Sequence, residues 1–156
     1  MKQYLVLFLL LSCTLAFSQK QKQAAADPWA GTYKLDTAKS KFHDAAPKEE
    51  TVVVESATKD SVKYTIKGTD AKGTPYTVSY DGKVGTASPA SMDGKEVSQI
   101  TYQMPSAHEF TSESHGSDGS GTGKVTLSRD KKTITVVEHM KGAQGEYDQT
   151  TVYVRQ

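Results

Sequence analysis

One cysteine, Cys13, stands in the whole chain of 156 residues. A domain formed by the later residues has no disulfide to staple it, so its apolar core alone must hold it together. A surplus of one charge is also missing, with 19 Lys and Arg against 18 Asp and Glu. Binding a phosphate backbone needs basic residues gathered in excess on one face, which excludes nucleic acid as an expected partner. No apolar run approaches the roughly 20 residues that cross a bilayer as a helix. Catalytic signatures are absent too. No Gly-x-Ser-x-Gly elbow occurs, and the glycines between Gly116 and Gly123 lead into neither a Gly-Lys-Ser nor a Gly-Lys-Thr, so they form no phosphate loop.

The histidines do not assemble into a site. His108 and His115 lie seven residues apart across strand and turn, a separation that sends them to opposite faces of a regular strand. His139 beside Glu138 points away from its neighbour for the same reason, and His43 with Asp44 falls in a loop. A structural metal site needs three or four converging ligands, and one acid, Asp118, is too few for calcium; no metal and no cofactor is expected. Ser112-Glu113 and Ser114-His115 are adjacent pairs whose side chains point apart, so no nucleophile meets a base, and no catalytic residue is assigned.

What the chain does have begins with a leader. Lys2 supplies a positive start and Tyr4 to Leu11 an apolar run too short to span a membrane, followed by the small residues Ala16 and Ser18 around Phe17. This reads as a signal peptide over 1–18, cut before Gln19, and implies export to the periplasm or beyond. Leu10-Leu11-Ser12-Cys13 offers the alternative of a lipoprotein signal acylated at Cys13, although the apolar stretch runs on through Leu15, Ala16 and Phe17. Removing the leader takes Lys2 and no acid, which leaves 18 basic and 18 acidic residues. Residues 19–27 show neither alternation nor turn chemistry and read as a flexible spacer, and 28–156 form one domain.

Within that domain apolar and polar residues alternate in short runs. Tyr33 and Leu35, then Val62, Tyr64 and Ile66, then Tyr76, Val78 and Tyr80 each share one face of a strand. Ile100, Tyr102 and Met104 follow, then Phe110, Val125 with Leu127, Ile134 with Val136, and Tyr147 to Val154. Turn residues separate them: Gly68 to Gly73, Pro105-Ser106, Ser117 to Gly121, Arg129 to Lys132, and Gly142 to Gly145. Asp36 can cap a single helical turn, and Val84 to Asp93, with Pro89, reads as a loop over one mouth. Short connections make neighbours antiparallel, and closing the first strand on the last removes both open edges. The prediction is an all-β, single antiparallel up-and-down barrel of 8–10 strands.

The stretch Asp27-Pro28-Trp29-Ala30-Gly31-Thr32-Tyr33-Lys34-Leu35-Asp36 resembles the opening strand of lipocalin-like proteins, with Gly31 at the family's glycine and Tyr33 at its tryptophan. It is also similar to a group of small exported bacterial proteins of unassigned function, which continue as Ala38 to Phe42 does and carry a hairpin like Ser128 to Val136. Tyr33-Lys34-Leu35-Asp36 is similar as well to the opening of polyisoprenoid-binding periplasmic barrels. The resemblance implies a calycin-type barrel that binds a small apolar molecule inside.

The candidate ligand-binding residues are Tyr64, Tyr76, Tyr80, Tyr102, Phe110, Tyr153 and Arg155. Buried phenols need hydrogen-bond partners, which a ligand or trapped water supplies, so the tyrosines favour a cavity. Tyr153 and Arg155 share a face, and fatty-acid-binding barrels, similar in architecture, hold a carboxylate with such a pair in the opposite order. The other role for Arg155 is to stack on Trp29 or Tyr33 and close one end, as lipocalin barrels do. Three functions follow. The first is a non-enzymatic, monomeric binder of a small apolar or amphipathic molecule. The alternative is a filled barrel acting as a protein-interaction or envelope-stress module, with an apolar outer patch. A barrel enzyme would need His108, His115 or Glu109 to converge at the mouth.

Overall fold

The computed structural model describes residues 26–143 and 145–156. The leader with Cys13 and nearly all of the spacer lie outside the described residues. The alternation becomes ten strands: β1 (Gly31–Leu35), β2 (Glu49–Ala57), β3 (Ser61–Thr69), β4 (Pro75–Lys83), β5 (Ser88–Met92), β6 (Lys95–Ser106), β7 (Glu109–Gly116), β8 (Gly119–Leu127), β9 (Thr133–Gly142) and β10 (Gly145–Arg155). Each pairs antiparallel with its neighbours in sequence, and β1 pairs with β10 to close the barrel. No helix of the described residues is long and apolar enough to cross a membrane.

Register decides which residues meet inside. Tyr64 faces Val54 on β2 and Tyr80 on β4, and Ile66 faces Val52 and Val78, so period-two apolar sets from successive strands point into one core. The buried members include Trp29, Tyr33, Val52, Val54, Tyr80, Phe110, Leu127, Ile134 and Tyr153.

Three expected loops and turns are corrected. Val84 to Asp93 is no mouth loop, because β5 lies within it and pairs Tyr80 with Ala90 and Val78 with Met92. Small residues hide its alternation, and Pro89 precedes the stretch paired with β4, where its missing N–H removes no bond to that strand. The turn at Asp93 and Gly94, both at positive φ, joins it to β6. Pro105-Ser106 belongs to β6, where a register irregularity between Gln103 and Ser106 accommodates the proline, and the turn falls at Ala107-His108. Gly119 to Gly121 belong to β8, whose ladders run to both β7 and β9, and only Ser117-Asp118 turn.

β1 is shorter than β10, so a gap opens beyond Leu35. Residues 36–48 cover it. Asp36 N donates to Val152 O at 2.8 Å, Lys41 and Thr150 exchange backbone bonds at 2.7 and 2.8 Å, and Ser40 Oγ accepts from Val152 N at 2.9 Å. Asp36 forms a turn, not a helix, with its Oδ1 accepting from Lys39 N at 3.2 Å. This strap lies at the open end, the end of the barrel that also carries the β3–β4 and β7–β8 turns. The opposite, closed end carries Trp29, the C-terminus and the turns β2–β3, β6–β7 and β8–β9.

Candidate ligand cavity

At the closed end the rings leave no room. Tyr33 is 0 % exposed and Trp29 2 %. Trp29 Nε1 donates to Ala107 O at 3.1 Å, and Tyr33 Oη donates to Trp29 O at 2.8 Å. Arg155 lies 4.5 Å over the Tyr33 ring and donates to Lys131 O, Ala30 O and Pro28 O, each at 2.7 Å, and to Tyr33 Oη. Burial raises the Tyr33 phenol above its ordinary range against the opposing pull of Arg155. Asp27, read from the sequence as spacer, anchors this plug by accepting from Trp29 N at 2.9 Å and Ala57 N at 2.6 Å.

From the plug a chain of rings climbs into the barrel. Trp29 meets Phe110 edge-on at 5.1 Å, Phe110 meets Tyr102 at 6.2 Å, Tyr102 meets Tyr80 at 5.1 Å, and Tyr80 stacks on Tyr64 at 5.5 Å. Such offset and edge-to-face contacts add to the free energy of burial. Tyr64 and Tyr102 share a hydrogen bond of 3.2 Å, and Tyr80 Oη donates to Ile100 O at 3.2 Å. Burial pushes the Tyr64 phenol up to about 12 and holds Tyr102 well above its ordinary value. Both rings retain partial exposure because they face a cavity.

That cavity has a volume of about 440 Å³. It is roughly three times the ~150 Å³ engineered apolar cavity that holds one benzene, and it lies within the ~300–1,000 Å³ range of small-molecule sites. Val52, Val54, Ile66, Val125 and Val136 supply its apolar walls, and Phe42, Ala45 and Pro47 of the strap border it. The barrel is therefore not filled by its own side chains.

Sequence reasoning missed its polar groups. Glu50, on β2, receives hydrogen bonds from both Tyr76 Oη and Tyr153 Oη, one on each carboxylate oxygen. Burial first, and then Glu50, hold both phenols well above their ordinary value. Gly68 permits the arrangement. A Cβ there would lie 2.6 Å from the Tyr76 ring, so the phenol crosses the bare glycine to reach Glu50. Glu138, opposite Gln149 on β10, accepts from the Gln149 amide at 2.6 Å. The signal was present in the period of two, which aligns Glu50 with Val52 and Val54, and Glu138 with Ile134 and Val136.

Of the residues expected at the ligand, Tyr64, Tyr76, Tyr102, Phe110 and Tyr153 line the cavity together. Tyr80 is 2 % exposed and supports Tyr64 from behind. Arg155 is outside the cavity. It shares the inward face with Tyr153, but two residues along a strand is ~7 Å, and that shift carries it into the plug.

The residues considered for catalysis and metals stand apart. Glu109 pairs with Lys124 at 2.7 Å, while His108 belongs to a turn at the closed end and His115 lies toward the open end of β7. His139 contacts Asp148 at 2.7 Å and Glu146 at 3.6 Å. His43 stacks on Tyr147 at 4.1 Å, pinning the strap. Among the described residues no three His, Cys, Asp or Glu side chains converge to hold a metal ion. A second cleft of about 610 Å³ lies between the strap and the β7–β8 and β9–β10 turns, bordered by His43, Asp44, Ser98, Asp118, Met140 and Tyr147.

No protein-family model matches the chain, and no curated protein matches it. Solved structures do. A zebrafish ileal bile acid-binding protein complexed with cholic acid aligns with a TM-score of 0.55 at 11 % identity, covering 83 % of this chain and 99 % of that one. The wild-type fluorescent protein UnaG aligns at 0.53 with 13 % identity, covering 82 % and 97 %. A redesigned β-barrel aligns at 0.50 with 13 % identity, covering 85 % and 95 %. At these identities the likeness establishes the calycin-like barrel fold.

Proposed function

We propose that this protein is an exported, monomeric carrier that holds a small apolar or amphipathic molecule inside its barrel and performs no catalysis. The observation that carries the reading is the cavity of about 440 Å³, walled by valines and rings and furnished with a few fixed polar groups. That combination is the usual composition of a small-molecule site, in which apolar area supplies affinity and a few polar atoms fix orientation. The similarity to a barrel complexed with cholic acid supports the same use of the interior. Export rests on the leader, with Lys2 ahead of the apolar run from Tyr4 to Leu11.

The interaction-module alternative has less support. Four large apolar residues are exposed among those described, and Val53 on β2, Val137 on β9, and Met92 and Val97 near the β5–β6 turn form no single docking patch.

Native mass spectrometry of the chain purified from its own host, followed by solvent extraction, tests the proposal. A discrete co-purifying small molecule is the expected result. A clean apo mass, from a chain that takes up no hydrophobic dye, would overturn it.

A further inference from the structure

We infer that the molecule carried is cationic: an organic amine whose apolar body lies on the rings of the barrel and whose ammonium group meets Glu138. The inference rests on the carrier reading and deepens it by fixing the sign of the ligand's charge. Three acids, Glu50, Asp70 and Glu138, border the cavity, and among the described residues no Lys, Arg or His does. Asp70 belongs to the β3–β4 turn, where its carboxylate accepts from Thr74 N, but Glu50 and Glu138 stand on the inner walls. A carboxylate ligand would enter beside those two like charges in a medium that screens them poorly, whereas an ammonium would gain from both.

The two inner acids have different roles. Both oxygens of Glu50 are occupied by the phenols of Tyr76 and Tyr153. Glu138 has only its Oε2 engaged, by Gln149, and its Oε1 accepts no hydrogen bond from the described residues. No buried side-chain oxygen or nitrogen among those residues lacks a partner, so this oxygen is open to the cavity. A carboxylate oxygen in an apolar chamber is stabilised by a donor, and a charged donor serves best.

The surrounding chemistry agrees. Tyr64, Tyr102, Phe110 and Trp29 present rings to the cavity, and aromatic faces attract cations as well as apolar chains. The one inward arginine, the cation with which a carboxylate ligand could pair, is committed elsewhere. Arg155 makes four hydrogen bonds within the plug at the closed end.

A matched series of decylamine, decanol and decanoate tests the inference, each titrated below its micelle concentration against the purified chain loaded with a neutral hydrophobic dye. Decylamine is expected to displace the dye at a concentration at least about tenfold lower than decanoate, with decanol between them. In Glu138→Gln most of the decylamine advantage over decanol should be lost while decanol still displaces the dye, a pattern that general loss of structure would not give. If decanoate binds as tightly as decylamine, or if Glu138→Gln keeps the amine preference, the inference falls and the carrier reading stands. If the dye and all three probes fail to bind, both fall together.

Discussion

The plug at the closed end and the chamber above it use tyrosine for opposite purposes. At the closed end a tryptophan, a tyrosine and an arginine fill the space, and Arg155 and Tyr33 bond to the carbonyls of Pro28, Ala30, Lys131 and Trp29. In the chamber, tyrosines and carboxylates bond to one another across strands and leave a volume between them. The difference lies in how the polar groups are satisfied. Backbone acceptors at a strand end are fixed and draw the side chains together, whereas side chains paired from one strand to another along the wall brace a space without filling it. The closed end should therefore govern stability, and the chamber should govern what is bound.

The largest effect that could break this comparison is at Trp29. It is 2 % exposed, contacts Phe110 edge-on and bonds to Ala107 O. Trp29→Ala should cost about 3–5 kcal/mol, read as a lower urea midpoint with little change in slope. A loss of under ~1 kcal/mol would show that the plug is not the stabilising half.

Alkaline pH probes the chamber instead. Burial raises Tyr64 to about 12, against about 10 for the exposed phenol of an unfolded chain. The folded state then holds a proton that the unfolded state has released, so the contribution is complete below pH ~10 and is lost as pH rises through ~12. The expected fall is on the order of 2–3 kcal/mol, measured as urea stability across that range together with phenolate absorbance. Phenolate appearing before unfolding in a chain that keeps its stability would mean that the rings are not buried.

The same contrast explains what could be read from the sequence. Strands with one face inward announce themselves, because a slip of one residue would turn Tyr64 and Ile66 out to solvent, and so the inward face from Tyr64 to Tyr153 is legible. Closure of β1 on β10 follows from the need to remove edges. β5 was not legible, since Ser88, Ala90 and Ser91 carry too little apolar area to mark a face. Glu50 and Glu138 were hidden for another reason. An acid normally sits outside, and only the phenols and amide brought to it by other strands, Tyr76, Tyr153 and Gln149, stabilise it within. Arg155 shows the limit of facing arguments. The period of two gives its side of the sheet, but its depth depends on where the barrel ends.

Glu50→Gln gives the smallest effect and separates bracing from filling. The amide keeps the shape of the side chain but has one acceptor oxygen, so it can receive Tyr76 or Tyr153 and not both. Little packing is lost, and the expected change in stability is about 1 kcal/mol. The titration should move more visibly. Burial is the larger cause of the raised phenols and would persist, but Glu50 adds to it in both tyrosines, so removing its charge lowers both toward the ordinary value. The latest part of the phenolate absorbance should then move to lower pH than in the parent chain, with Tyr64, whose neighbours are Tyr102, Tyr80 and Glu138, still near about 12. If that late part does not move, Glu50 does not face those phenols. If instead the variant loses as much stability as Trp29→Ala, the chamber wall supports the fold as strongly as the plug, and the division between plug and chamber fails.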